Sequence, residues 1–145
     1  MKIATQFEDA LKKSGISSAK IHQGEVWRIP DDLVNFPEDR LLKPKRRRHI
    51  FRSVVILSAE EDCQDPTHTT LLVAPLSTKT KIKKRTDFLI KKEQGKLKGD
   101  SVVRLGVLFT ILKVELIKRE SSLSTEIFEK LQAVLLANLG IISRP

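Results

Sequence analysis

Apolar positions along the chain change their spacing several times, and each change marks an element. In residues 5–14, Phe7, Ala10 and Leu11 recur at helical spacing between a capping Thr5 and a stopping Gly15, which predicts a short leading helix. Past Gly24 the spacing becomes alternation: Glu25, Val26, Trp27, Arg28 and Ile29 predict a first strand, closed by Pro30. Residues 30–48 hold three prolines, many charges and only isolated apolar side chains, the composition of a long loop. Val54, Val55, Ile56 and Leu57 then follow without interruption, as expected of a central strand covered on both faces.

An acidic connection over 59–67 leads to a further β pattern over 69–76, with Leu71, Leu72, Val73 and Ala74, predicted to pair antiparallel with the strand before it. Phe88, Leu89 and Ile90 predict a short strand. Gly95 and Gly99 bracket a turn before another at 101–105. The β-branched residues Val107, Thr110, Ile111, Val114 and Ile117 predict one long strand, bent at Gly106. Ser124 is a good N-cap, Glu126 suits the positive end of a helix dipole, and Ile127, Phe128, Leu131, Val134, Leu135 and Leu139 share a face before Gly140. Short strands closed by one amphipathic helix predict a mainly β, α+β fold: a small, partly open barrel with a C-terminal helix rather than a parallel α/β sheet.

Charge adds a partner to this picture. The 145 residues carry 27 Lys and Arg against 18 Asp and Glu, a net charge of +9, and the surplus lies in mid-chain clusters. Lys43, Lys45, Arg46, Arg47 and Arg48 form one run, Lys79, Lys81, Lys83, Lys84 and Arg85 a second, and Lys91, Lys92, Lys96 and Lys98 a looser third. Clusters of this kind suit a polyanion or an acidic protein. The single cysteine, Cys63, excludes an internal disulfide and fits a reducing cytoplasm. No apolar stretch reaches the length of a membrane span, and the first ten residues lack a signal-peptide core, so a soluble, cytoplasmic protein is expected.

The chemistry narrows by elimination. His22, His49 and His68 are scattered, without an HExxH or CxxC spacing, so no metal site and no cofactor is expected. GxSxG, P-loop and GxGxxG motifs are absent too. Arginines, hydroxyls and a histidine beside apolar strands suit metal-free RNA cleavage. In that reaction the substrate's 2′-hydroxyl attacks phosphorus, a base takes its proton, and cationic groups hold the developing charge. Arginine offers such a clamp, bidentate to phosphate.

Gly24-Glu25-Val26-Trp27, the run from Arg52 and Ser53 through Val54, Val55, Ile56 and Leu57 to Ser58, and Val73-Ala74-Pro75-Leu76-Ser77-Thr78 stand in the order of three motifs of the MazF/PemK/Kid toxin family, which this chain resembles. Gly99-Asp100-Ser101-Val102-Val103-Arg104-Leu105, then Thr110-Ile111, and the tail 123–140 are similar to its later strands and closing helix, so the resemblance spans about residues 24–141. It implies an SH3-like barrel over 24–145 preceded by an N-terminal helical extension over 1–23. It also implies a homodimeric toxin that cuts single-stranded RNA without metal, leaving a cyclic phosphate and a 5′-hydroxyl, and that is held in check by an acidic antitoxin protein. By position, Arg52 corresponds to the family's catalytic arginine, Ser77 to its catalytic threonine, and Arg104 to the arginine of the Kid-type site. Lys45, Arg46, Arg47, Arg48, Thr78, Lys79, Lys81, Lys83, Lys84 and Arg85 are the candidate RNA-binding residues.

The chain departs from the pattern at two places that bear on catalysis. Ser53 replaces the proline of the arginine-proline motif, and Gly106 replaces the Kid-type aspartate that would serve as base, which leaves His49 as the candidate proton acceptor. Structural roles stand beside these readings: Arg52 paired with Glu60 or Glu61, Ser77 satisfying backbone at a strand end, Arg104 as an exposed strand residue, His49 as part of a solvated loop, and Trp27 as core. Two other functions stay open, a catalytically inactive module binding RNA or an acidic protein, and a gyrase poison of the CcdB type. The second lacks the Trp-Gly-Ile ending expected of it.

Overall fold

The computed structural model describes residues 3–41 and 49–145. Seven strands, β1 (Glu25–Pro30), β2 (Phe51–Ile56), β3 (Thr70–Ser77), β4 (Phe88–Ile90), β5 (Ser101–Val103), β6 (Phe109–Leu112) and β7 (Lys118–Ser122), form one curled antiparallel sheet. Its order is β4-β5-β3-β2-β1-β7, with β6 also on β3. Helix α1 (Ile3–Ser14) leads, two short helices, α2 (Glu60–Gln64) and α3 (Lys92–Gly95), interrupt, and α4 (Thr125–Asn138) closes the chain. The sheet half-barrel with a terminal helix is the predicted α+β class.

Strand β3 organises the sheet. One of its edges pairs with β2 through Val54↔Pro75, Val55↔Ala74 and Ile56↔Val73. The other edge carries β6 from Thr70 to Val73 and β5 at Leu76 and Ser77. Pro75 falls in the gap between these two partners, where the N–H that proline lacks is not needed for the ladder. Its carbonyl still accepts from the Arg104 backbone N–H at 2.8 Å.

The uninterrupted apolar runs are explained by a core on each face. Val55, Ala74, Leu76 and Val103 pack under α4 with Ile127, Phe128 and Leu131. Val54, Ile56, Leu71 and Val73 point the other way, into a second core with Trp27, Ile29, Cys63 and Ile111. Trp27 is therefore core, and its indole N–H donates to the buried Glu25 carboxylate at 3.1 Å. The α4 cap forms as predicted, with Ser124 Oγ accepting from the Ile127 N–H. Gly24 has φ +83 and lies against the Phe128 ring, so both its backbone and the helix above it call for a residue without a side chain. Leu139, placed on the buried face by its spacing, is exposed beyond the helix end.

The single long strand expected over 107–117 is not formed. The stretch holds only β6 and a 3-10 turn at Lys113–Glu115, and the polar strand β7 begins after it. The break is made by Lys113, whose side chain turns inward and donates to the carbonyls of Asp62 and Asp65 at 2.8 and 2.7 Å. Its residue is wholly buried, and burial pulls the ammonium below the ordinary lysine range. Beside it, burial pushes the Cys63 thiol from 9.0 up to about 11. Burial disfavours the reactive thiolate and also removes access to it. A disulfide-exchange reagent is thus expected to leave Cys63 unlabelled in the native protein and to label it fully in denaturant. Rapid labelling of native protein, followed by absorbance, would contradict this placement.

Candidate functional site

Two adjoining cavities, of about 750 and 790 Å³, share His49, Phe51, Arg52, Ser53 and Glu120 and together make one open groove across the ends of β2, β3 and β7. Arg28 lines one half. Phe36, Ser77, Thr78, Lys79, Lys98 and Arg104 line the other. The candidates His49, Arg52, Ser77, Thr78, Lys79 and Arg104, spread over more than fifty positions, are brought into one place. Lys81, Lys83, Lys84 and Arg85 are exposed on the neighbouring β3–β4 connection but do not line the groove. Lys45, Arg46, Arg47 and Arg48 lie outside the described residues.

Arg52 is held from three sides. Its Nε donates to Asp31 Oδ1 at 2.9 Å, its Nη1 donates to the Leu76 carbonyl at 3.0 Å, and its guanidinium lies 5.1 Å from the centre of the Phe36 ring. The ion-pair partner is thus Asp31, not Glu60 or Glu61. Asp31 begins a 3-10 turn directly after β1, is fully buried, and with Oδ2 also accepts the His49 backbone N–H at 3.0 Å. A guanidinium has five donors, so these bonds leave others for an oxyanion in the groove. The side chain keeps 13% of its surface exposed, enough for contact but little for wandering.

Ser77 sits at the end of β3, where its Oγ accepts from the Lys79 backbone N–H at 3.2 Å. Arg104 is not an exposed strand residue. Its Nη1 donates to Asp87 Oδ2 at 2.6 Å and to the Ile82 carbonyl at 3.0 Å, and its Nη2 to the Lys79 carbonyl at 3.3 Å. Asp87 in turn accepts the Lys84 backbone N–H at 3.0 Å. Arg104 and Asp87, 11% and 3% exposed, therefore shape the basic connection from within. Across the mouth of the groove Lys84 is bonded to Glu38, and that bond holds the Glu38 carboxyl below the ordinary carboxylate range.

Several groove residues carry no mark in the sequence. Phe51 is half exposed, and the guanidinium of Arg28, opposite Ser53 across the β1–β2 ladder, lies 5.5 Å from its ring centre. Glu120 belongs to β7, a strand without an apolar pattern, yet it lines both halves of the groove. Its Oε1 accepts from Ser53 Oγ at 2.7 Å and faces Arg28 Nε at 3.6 Å. The signal for it was indirect: a hydroxyl at position 53, where a family strand has proline, can orient a carboxylate. Among the described residues, no group of three His, Cys, Asp or Glu side chains is placed to hold a metal ion, and no helix is long and apolar enough to cross a membrane.

Residues 22–139 match the family described as PemK-like, MazF-like toxin of type II toxin–antitoxin system. A comparison with curated proteins gives no sequence match. Among solved structures, the fold is similar to an endoribonuclease from Mycobacterial species, with a TM-score of 0.59 at 17% identity over 83% of this chain and 91% of that one. It is similar to a Mycobacterial endoribonuclease in complex with its cognate antitoxin, with a TM-score of 0.60 at 16% identity over 83% and 96%. The Mycobacterium tuberculosis toxin MazF-mt6 aligns with a TM-score of 0.61 at 19% identity over 81% and 98%.

Proposed function

Since the chain belongs to the PemK-like, MazF-like toxins of type II toxin–antitoxin systems, we propose that it is the RNA-cutting member of such a pair, a metal-independent endoribonuclease acting on single-stranded RNA. The observation that carries this reading is the convergence of Arg52, Ser77 and His49 with Lys79 and Lys98 in one open groove. Arg52 holds the phosphate whose charge grows as the 2′-oxygen attacks, anchored by Asp31 against movement. Ser77 supplies a hydroxyl at the same strand end. Arg104 acts as a positioning residue, through the loop whose carbonyls it holds. The lysines and arginines of 45–48 and 79–85 extend the basic surface along which a strand would lie.

Residues 24–145 are read as the barrel domain and 1–23 as a helical extension, in keeping with a family match that begins at residue 22. The extension is not loose, because Phe7 and Ile21 are buried. The protein is further proposed to act in the cytoplasm as a homodimer, with an acidic antitoxin covering the groove, as the antitoxin-bound structural relative suggests. The family match stands against a gyrase poison. Mixed-sequence single-stranded RNA incubated with the purified chain in EDTA should be cut to fragments ending in a cyclic phosphate and beginning with a 5′-hydroxyl. RNA left intact but bound, in a manner that weakens with salt, would instead identify an inactive binding module.

The guanidinium-backed ring of Phe51 offers a face on which one base can stack. Stacking on an aromatic side chain contributes roughly 1–3 kcal/mol per base, so Phe51→Ala should weaken RNA binding by about 5- to 150-fold. Fluorescence anisotropy with a short labelled RNA measures it. An unchanged affinity would remove Phe51 from the interface.

A further inference from the structure

Resting on the reading of the groove as an RNA-cleaving site, we infer that Glu120 is the base that takes the proton from the attacking 2′-hydroxyl. The reaction needs an acceptor next to the phosphate-holding arginine, and three acidic side chains line the groove half that also holds Ser77: Glu38, Asp39 and Glu120. Glu38 is engaged by Lys84. Both it and Asp39 belong to the 3-10 segment Pro37–Leu41 at the rim. Glu120 alone stands in both halves of the groove together with Arg52. It is carried on a strand rather than a loop, its side chain is only 20% exposed, and Ser53 fixes its Oε1 at 2.7 Å. Its contacts with Ser53 and Arg28 both run through Oε1, which leaves Oε2 to take a proton.

Two departures of the sequence thereby acquire one explanation. Gly106 brings no carboxylate, while Ser53, in place of a proline that could donate nothing, orients one arriving from β7. In the step, Oε2 accepts the 2′-hydroxyl proton as the 2′-oxygen bonds to phosphorus. The bond from phosphorus to the 5′-oxygen breaks, leaving a 2′,3′-cyclic phosphate, and the departing 5′-oxygen takes a proton from water. The charged groups that line the groove with this carboxylate are Arg28 from β1, His49 just before β2 and Arg52 within it, Lys79, Lys98 and Arg104 from the far wall, and Glu38 and Asp39 at the rim.

The test compares full-length wild type, Glu120→Gln, Arg52→Ala and His49→Gln in single-turnover cleavage of a mixed-sequence RNA across pH, with binding of a 2′-O-methyl RNA measured alongside. The glutamine keeps an oxygen for Ser53 but no longer accepts the proton, so cleavage should fall by about 10²- to 10⁴-fold with binding unchanged within about threefold. The decline of the wild-type rate on the acid side should vanish in Glu120→Gln and persist in His49→Gln. A variant that merely folded less well would lose amplitude and keep that decline. Ser53→Ala should slow cleavage less than Glu120→Gln does. Cleavage by Glu120→Gln at the wild-type rate, or with the wild-type pH profile, would overturn the inference while leaving the RNA-cleaving reading intact. Wild type as inert as Arg52→Ala would overturn both.

Discussion

Arg52→Lys should cut RNA at least about a hundredfold more slowly than wild type, although it keeps the positive charge. The reason lies in how the guanidinium is used. It spans the Asp31 carboxylate and the Leu76 carbonyl with two donors of a rigid planar fork and keeps others for phosphate. An ammonium is a single point with three donors on a flexible stem, and seated on Asp31 it cannot also reach both other partners. Removing one preorganised donor from a developing oxyanion costs about 10²- to 10³-fold in rate. Arg52→Ala should lose at least as much, but it also breaks the ion pair with the buried Asp31. The lysine variant therefore isolates chemistry from folding. Single-turnover rates beside thermal melts decide the matter, and a lysine variant within threefold of wild type would place the phosphate elsewhere.

Asp31→Ala should cost more stability than the loss of any exposed ion pair around the groove. Asp31 is wholly buried and serves two elements at once, the Arg52 side chain and the His49 backbone N–H. Breaking a buried pair by removing one partner costs about 3–5 kcal/mol, because the other charge stays in place without compensation. For a chain of this size that corresponds to a fall in melting temperature of roughly 10–20 °C. Cleavage should fall as well, because the arginine loses its anchor although Asp31 itself touches no RNA. Asp31→Asn keeps an oxygen for Arg52 Nε and should recover part of both losses. Thermal unfolding followed by circular dichroism checks the stability, and a melt unchanged by Asp31→Ala would mean that Arg52 finds a second partner of equal strength.

How much of this was legible depended on whether the cause was local. Strands β2 and β3 announce themselves because Val54 to Leu57 and Leu71 to Leu76 feed two cores on opposite faces. The closing helix does so because Ser124, Ile127, Phe128 and Leu131 lie within two turns of one another. Strand β7 does not. It pairs only with β1 at an edge of the sheet, where charged residues are tolerated and alternation is not required. The break at Lys113 was equally hidden, because the carbonyls that draw the lysine inward lie about fifty residues earlier. The site followed the same division. Arg52, Ser77 and Arg104 stand within runs of characteristic order, whereas Asp31 and Glu120 gain their meaning from partners 21 and 67 positions away.

The ion pairs around the groove also change what the surplus of positive charge means for association. The 27 Lys and Arg would suggest many phosphates neutralised on binding. Yet Lys84 is matched by Glu38, Arg104 by Asp87, Arg52 by Asp31 and Lys91 by Asp100. Counterions released from a single strand scale at roughly 0.7 per phosphate neutralised, and cations already matched within the protein contribute less to that release. The dependence of affinity on salt then reports the basic side chains outside those pairs, among them Lys79, Lys81, Lys83, Arg85 and Lys98, rather than all 27. RNA capture becomes a matter of the basic side chains outside those pairs, and ionic strength tunes the encounter without loosening the buried pairs that set the geometry.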